Sequence, residues 1–130
     1  MADTVTVQTI ADVAGVKHVS KMTNISDGTG ETLVTKIDAS GTNGMTEDAT
    51  KVLARLWYSI NTTNRNAAVE LLWGGTTNGT MVVLNGQGHW DLRTFGDGIA
   101  NNATTPTGDV LLSTRNFVSG DNYTILVEFR

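Results

Sequence analysis

A chain of 130 residues is long enough for one domain that buries roughly two thirds of its unfolded surface without covalent staples. It contains no cysteine, which closes disulfide frameworks, thiolate metal sites and thiol catalysis, and fits folding in a reducing cytoplasm. Nine Lys and Arg against thirteen Asp and Glu give a net charge of −4, with the basic residues scattered from Lys17 to Arg130, so the concentrated positive field that nucleic acid requires is missing.

Only 17% of the residues are charged, while Thr, Asn and Gly are abundant and Pro106 is the single proline. That balance suits strands and tight turns better than surface helices, which lean on Glu, Lys and Arg. In "MADTVTVQTI" no basic segment precedes an apolar core, so a secretory signal is not expected. Apolar runs such as Met81 to Leu84 are far too short to cross a bilayer, and the expectation is a soluble chain with no membrane contact.

Residues 1–12 alternate as Val5, Val7 and Thr9, with Ile10 out of phase, and read equally as a strand or an extended arm. From Gly15 to Ile25 the apolar residues Val16, Val19, Met22 and Ile25 fall at spacing three, so a bulged strand competes with a helical turn. After the turn "SDGTG", Leu33, Thr35, Ile37 and Ala39 alternate as a half-buried strand. The stretch "TEDATKVLARLWYSI", Thr46 to Ile60, fits both periods: a helix near 46–54 capped by Thr46, or a strand from Lys51 that pairs across "NTTNRN". The strand is preferred, because β-branched and aromatic residues gather at its end and helix formers only at its start.

"AAVELLW" alternates with Val69, Leu71 and Trp73 on one side, "GGTTNG" and "NGQG" read as turns around the strand "TMVVL", and a short strand follows near His89. Gly96 to Gly108 reads as an unpatterned surface loop. "DVLLSTRNF", the turn "SGDN" and "YTILVEF" close the chain, the last with Tyr123, Ile125, Val127 and Phe129 on one face. About seven to nine short antiparallel strands in one domain, 1–130, predict an all-β sandwich, jelly-roll-like.

Chemical motifs are sparse. His89 and Asp91 in "HWD" share a strand face and could orient an imidazole or hold a metal, but His18 lies far away in the chain and an ordinary surface position is the simpler reading. "DGTGE" and "FGDG" lack the alternating acids of an EF-hand and read as turns. No nucleophile elbow, phosphate loop or paired-carboxylate spacing is visible, so neither catalytic, metal nor cofactor residues are assigned, and no enzyme is expected. Trp57, Trp73 and Trp90 serve either as core or, for one or two of them, as a sugar-binding or interface face.

"TNISDGTGETLVTKIDAS", then "RLWYSI" followed by "VELLWGG", and "TGDVLLSTRNFVSGDNYTILVEFR" together resemble small structural proteins of tailed bacteriophages over most of the chain. The resemblance implies a virion protein made in the host cytoplasm, a capsid decoration or cement protein that binds the major capsid protein on the outer shell. It also implies a homo-oligomer, trimer or dimer. No contact residue is fixed by the family; Val5, Val7 and Ile10 at the N-terminus, and Ile99, Asn101, Asn102 and Pro106 in the glycine-flanked loop, are the candidate contacts because termini and long loops carry binding. A carbohydrate- or receptor-binding module of a phage tail or fibre is the alternative.

Overall fold

The computed structural model describes residues 3–96 and 98–130, with Phe95 described by its main chain only. Nine strands appear among them: β1 (Thr4–Val13), β2 (Lys17–Ile25), β3 (Val34–Ile37), β4 (Leu53–Asn61), β5 (Ala68–Thr77), β6 (Gly79–Leu84), β7 (Gln87–Asp91), β8 (Thr104–Arg115) and β9 (Asn122–Phe129). One sheet runs β1-β2-β9-β4-β7 and the other β3-β8-β5-β6, with every pairing antiparallel.

The pairings nest. β5 meets β6, β4 meets β7, β3 meets β8 and β2 meets β9, and successive pairs alternate between the two sheets. This is a long hairpin rolled into a jelly roll, with β1 added outside β2.

Alternation along each strand decides what the sheets bury. Tyr123, Ile125, Val127 and Phe129 of β9 face inward beside Leu56 and Ile60 of β4 and Met22 of β2. Val69, Leu71 and Trp73 of β5, with Val110 and Leu112 of β8, come from the opposite sheet. The rings of Trp73 and Phe129 meet edge to face at 5.3 Å between centroids and join the two layers.

Three expectations are corrected or sharpened. No helix forms near 46–54: Asp48 accepts from Thr50 N at 2.9 Å and from Thr46 Oγ1 at 2.7 Å, a side-chain turn that diverts the backbone, and β4 begins at Leu53. Among the described residues the only helical pieces are two 3₁₀ turns, Ala39–Gly41 and Leu92–Phe95. The presumed loop from Gly96 to Gly108 stops early, since β8 starts at Thr104 and Pro106 sits in it opposite Gly75. Gly108 has φ +81° and passes so close to Thr46 that a Cβ would lie 1.9 Å from its carbonyl oxygen, so glycine is required on both counts. The strand expected from Leu33 to Ala39 is only β3, and its register shifts between Thr35 and Ile37. That bulge leaves both Lys36 and Ile37 buried.

Candidate interaction surface and buried polar cluster

The N-terminal segment is an edge strand, not a free arm. β1 pairs with β2 from Thr4 to Val13, and a register shift between Thr9 and Ala11 explains why Ile10 breaks the sequence alternation. Carboxylates pin both of its ends. Asp3 Oδ1 accepts from Asp27 N at 3.1 Å, Gly30 N at 3.3 Å, Ser26 Oγ at 3.3 Å and Thr29 Oγ1 at 3.2 Å, while Oδ2 accepts from Asn24 Nδ2 at 3.0 Å. Partial burial works to raise its pKa, but these donors outweigh it and hold the carboxyl at about 2. At the other end Asp12 accepts from Asn43 N at 2.9 Å and Gly44 N at 2.5 Å and contacts His18 Nδ1 at 2.9 Å; against the cost of burial, these contacts lower its pKa as well.

Between the pins the outer edge of β1 pairs with no other described strand. Its ten residues contain no Lys, Arg or Pro, and the other sheet edges are shorter: β7 has five residues, β3 four and β6 six. Val5, Val7, Ile10 and Val13 remain 41–53% exposed, although the register turns Val5 and Val7 toward the same side as the buried Asn24 and Met22. Lysine, proline or extreme shortness are the usual means of blunting an edge, and a single bulge is the device present here.

The second group of candidate contacts lies elsewhere. Ile99 exchanges main-chain hydrogen bonds of 3.0 Å with Leu53 and packs on the core, Asn101 Oδ1 accepts from Ala103 N, and Asn102 Nδ2 donates to Thr80 O. Leu53 belongs to β4, three strands from β1, so Val5, Val7 and Ile10 are not brought together with Ile99, Asn101, Asn102 and Pro106.

The tryptophans divide. Trp73 is core, whereas Trp57 and Trp90 stay 37% and 40% exposed. Trp57 stands opposite His89 on the outer face, with Arg55 over its ring at 5.6 Å. Trp90 pairs with the inward-facing Leu56 and packs edge to face on Tyr58 at 6.3 Å, so the two exposed rings occupy opposite faces and form no common platform. Trp57, Ser59, His89 and Thr124 line a shallow hollow of about 320 Å³.

His89 and Asp91 do share the outer face, opposite Trp57 and Arg55, yet Asp91 is engaged by Arg93 through Nε and Nη2, both at 3.0 Å. Those hydrogen bonds take its pKa down to about 2. His18 is buried in β2, with Ser20 Oγ 2.6 Å from Nε2, and β9 and β4 separate it from the strand of His89. No group of three or more His, Asp or Glu that could hold a metal ion occurs among the described residues. No helix among them is long and apolar enough to cross a membrane.

Sequence spacing gave no hint of a polar cluster inside the sandwich. Glu31 Oε1 accepts from Tyr123 OH and from Asn24 Nδ2, each at 2.6 Å, and Glu31 Oε2 lies against Lys36 Nζ. Asn24, Glu31 and Lys36 are all buried, and Asn24 Oδ1 has no hydrogen-bond partner among the described residues. Burial, and then the Glu31 carboxylate, push the Tyr123 hydroxyl far above the ordinary phenol range, so it stays a neutral phenol and donates its proton to Glu31. Lys36 reaches this interior through the β3 bulge, whereas the sequence alternation placed it on the outward face.

No protein-family model and no curated protein matches the chain. The crystal structure of FlhE is similar over 100% of this chain and 99% of its own, at 16% identity and a TM-score of 0.32, a likeness that carries no argument about fold or function.

Proposed function

We propose that this chain is a non-enzymatic assembly protein, and specifically a phage capsid decoration protein that attaches to the outer surface of the major capsid shell. The observation that carries the reading is β1, the longest sheet edge, which presents exposed Val5, Val7 and Ile10 without a lysine, arginine or proline to discourage pairing. An extended segment of a capsid subunit or of a second copy adds to such an edge through main-chain hydrogen bonds, with side chains at alternate positions giving specificity. Covering each half-exposed aliphatic side chain is worth roughly 1 kcal/mol, so a single contact is weak and repetition over a lattice supplies the avidity. The capsid as partner, and the oligomer, rest on the sequence resemblance to small virion proteins of tailed phages.

A tail or fibre module that binds carbohydrate is the second reading, favoured by the exposed Trp57 ring beside Ser59, His89 and Thr124, since a sugar stacks on an aromatic face and needs flanking polar groups. Cryo-electron microscopy of the virion that carries this protein separates the two. Density in a regular array over the shell, with β1 at the contact, is the expected result. Density at the tail alone, together with quenching of Trp57 fluorescence by glycans, would replace the capsid reading with the second.

A further inference from the structure

We infer that Lys36 and Asn24 are the two ends of a self-forming amide cross-link between the sheets, with Glu31 as the group that transfers protons between them. The inference rests on the buried cluster alone and is independent of any role on a capsid.

Three features of the cluster point the same way. One carboxylate touches both nitrogens: Oε1 accepts from Asn24 Nδ2 at 2.6 Å and Oε2 lies against Lys36 Nζ. The site is dry, with the side chains of Lys36 and Glu31 only 2% and 5% exposed, so an attacking amine meets little competition from water. The Asn24 amide is also oriented: Nδ2 faces two carboxylates, Asp3 and Glu31, and no donor faces Oδ1 among the described residues. Both neighbours of that nitrogen can only accept, so the orientation follows from chemistry and not from a choice between look-alike atoms. An ion pair buried for stability alone is a poor bargain, because desolvating both charges consumes most of their attraction. An amide in its place leaves no charge inside.

The step balances without any further reagent. Glu31 accepts a proton from the Lys36 ammonium, and the freed Nζ lone pair attacks Asn24 Cγ to form the new C–N bond. The Glu31 carboxyl then gives its proton to Nδ2, which it already faces, and receives one from Nζ. The Cγ–Nδ2 bond breaks, ammonia leaves, and an amide joins Nζ to Cγ. Glu31 ends as a neutral acid beside the Tyr123 hydroxyl, so the pair of charges present at the start is gone. The bond ties β2 in one sheet to β3 in the other at the side of the sandwich where both sheets are open.

The test is the intact mass of the purified full chain, followed by digestion that cuts after lysine and before Asp27. The expected result is a mass lower than the sequence by one ammonia, resistance to cleavage after Lys36, and one product in which the segments holding Asn24 and Lys36 remain joined. Lys36→Arg keeps the charge but lacks the nucleophile and is expected to show the full mass, as is Glu31→Gln. Should Glu31→Gln fail to fold, Lys36→Arg and the wild-type digest decide the matter. Full mass in wild-type protein after prolonged incubation overturns the inference. So does an ammonia loss confined to a free Asn24 segment, which marks cyclisation onto its own backbone.

Discussion

Replacing Asp3 by Asn tests whether a carboxylate holds the free edge strand in place. The substitution keeps the shape of the side chain but removes a charge that takes hydrogen bonds from five donors. An asparagine cannot satisfy them all, because its own NH₂ must point either at Asn24 Nδ2 or at the Asp27–Gly30 donors. A folded pKa lowered from 3.8 to about 2 is worth roughly 2 kcal/mol before screening, and because Asp3 is only partly buried, about 1–2 kcal/mol at neutral pH is the expected loss. The sign follows from the depressed folded pKa: the stabilisation is complete above the unfolded value near 3.8 and disappears as pH falls through about 2. Urea unfolding followed by tryptophan fluorescence, on wild type and Asp3→Asn of matched covalent state, should show a lower midpoint for the variant at pH 7 and a gap that closes toward pH 2. An equal midpoint at pH 7, or a gap that persists undiminished in acid, would refute the reasoning.

The double substitution Val5→Lys and Val7→Lys places charges on half-exposed edge positions, where lysine stems can lie along the surface and reach water. It should change unfolding free energy by less than about 1 kcal/mol per site yet abolish co-sedimentation with capsids; retained co-sedimentation would exclude β1 as the contact. Gly108→Ala, which meets the Thr46 carbonyl at a positive φ, should destabilise by about 2–4 kcal/mol in thermal or urea unfolding. Trp73→Ala removes the ring that packs on Phe129 across the layers and should cost about 3–5 kcal/mol by the same measurement, with the cavity accounting for part of the loss.

Strands whose inward residues are apolar and whose outward residues are polar were legible in the chain. "YTILVEF" gave β9 with its inward face correct, and "AVELLW" gave the Val69, Leu71 and Trp73 face of β5. The reading faltered wherever one residue breaks the period of two. The bulge at Ile10 left strand and arm equally balanced, and the bulge at Lys36 concealed that a lysine turns inward. Helix formers at Ala49 and Lys51 suggested a helix that the Asp48 side-chain turn forestalls, and Pro106 disguised the first residues of β8 as loop. The Asn24, Glu31, Lys36 and Tyr123 cluster was invisible because β9 reaches it from the far end of the chain. Tyr123 and Glu31 meet across 92 positions, and no local spacing encodes that meeting.

The nested strand pairing also bears on how the chain matures during translation. β9 follows the other eight described strands in the chain, yet it lies between β2 and β4 in the middle of its sheet. Until it emerges, that sheet exists as two separate fragments, β1-β2 and β4-β7, each with an uncovered apolar face. The β5-β6 hairpin can close early at small entropic cost, whereas the β2-β9 pairing must close a loop of nearly the whole chain. A nascent chain stalled before Asn122 would therefore lack Tyr123, Ile125, Val127 and Phe129 together and expose the flanks meant to receive them. Closure of the native core therefore waits on β9, and any product that lacks this strand keeps apolar flanks exposed.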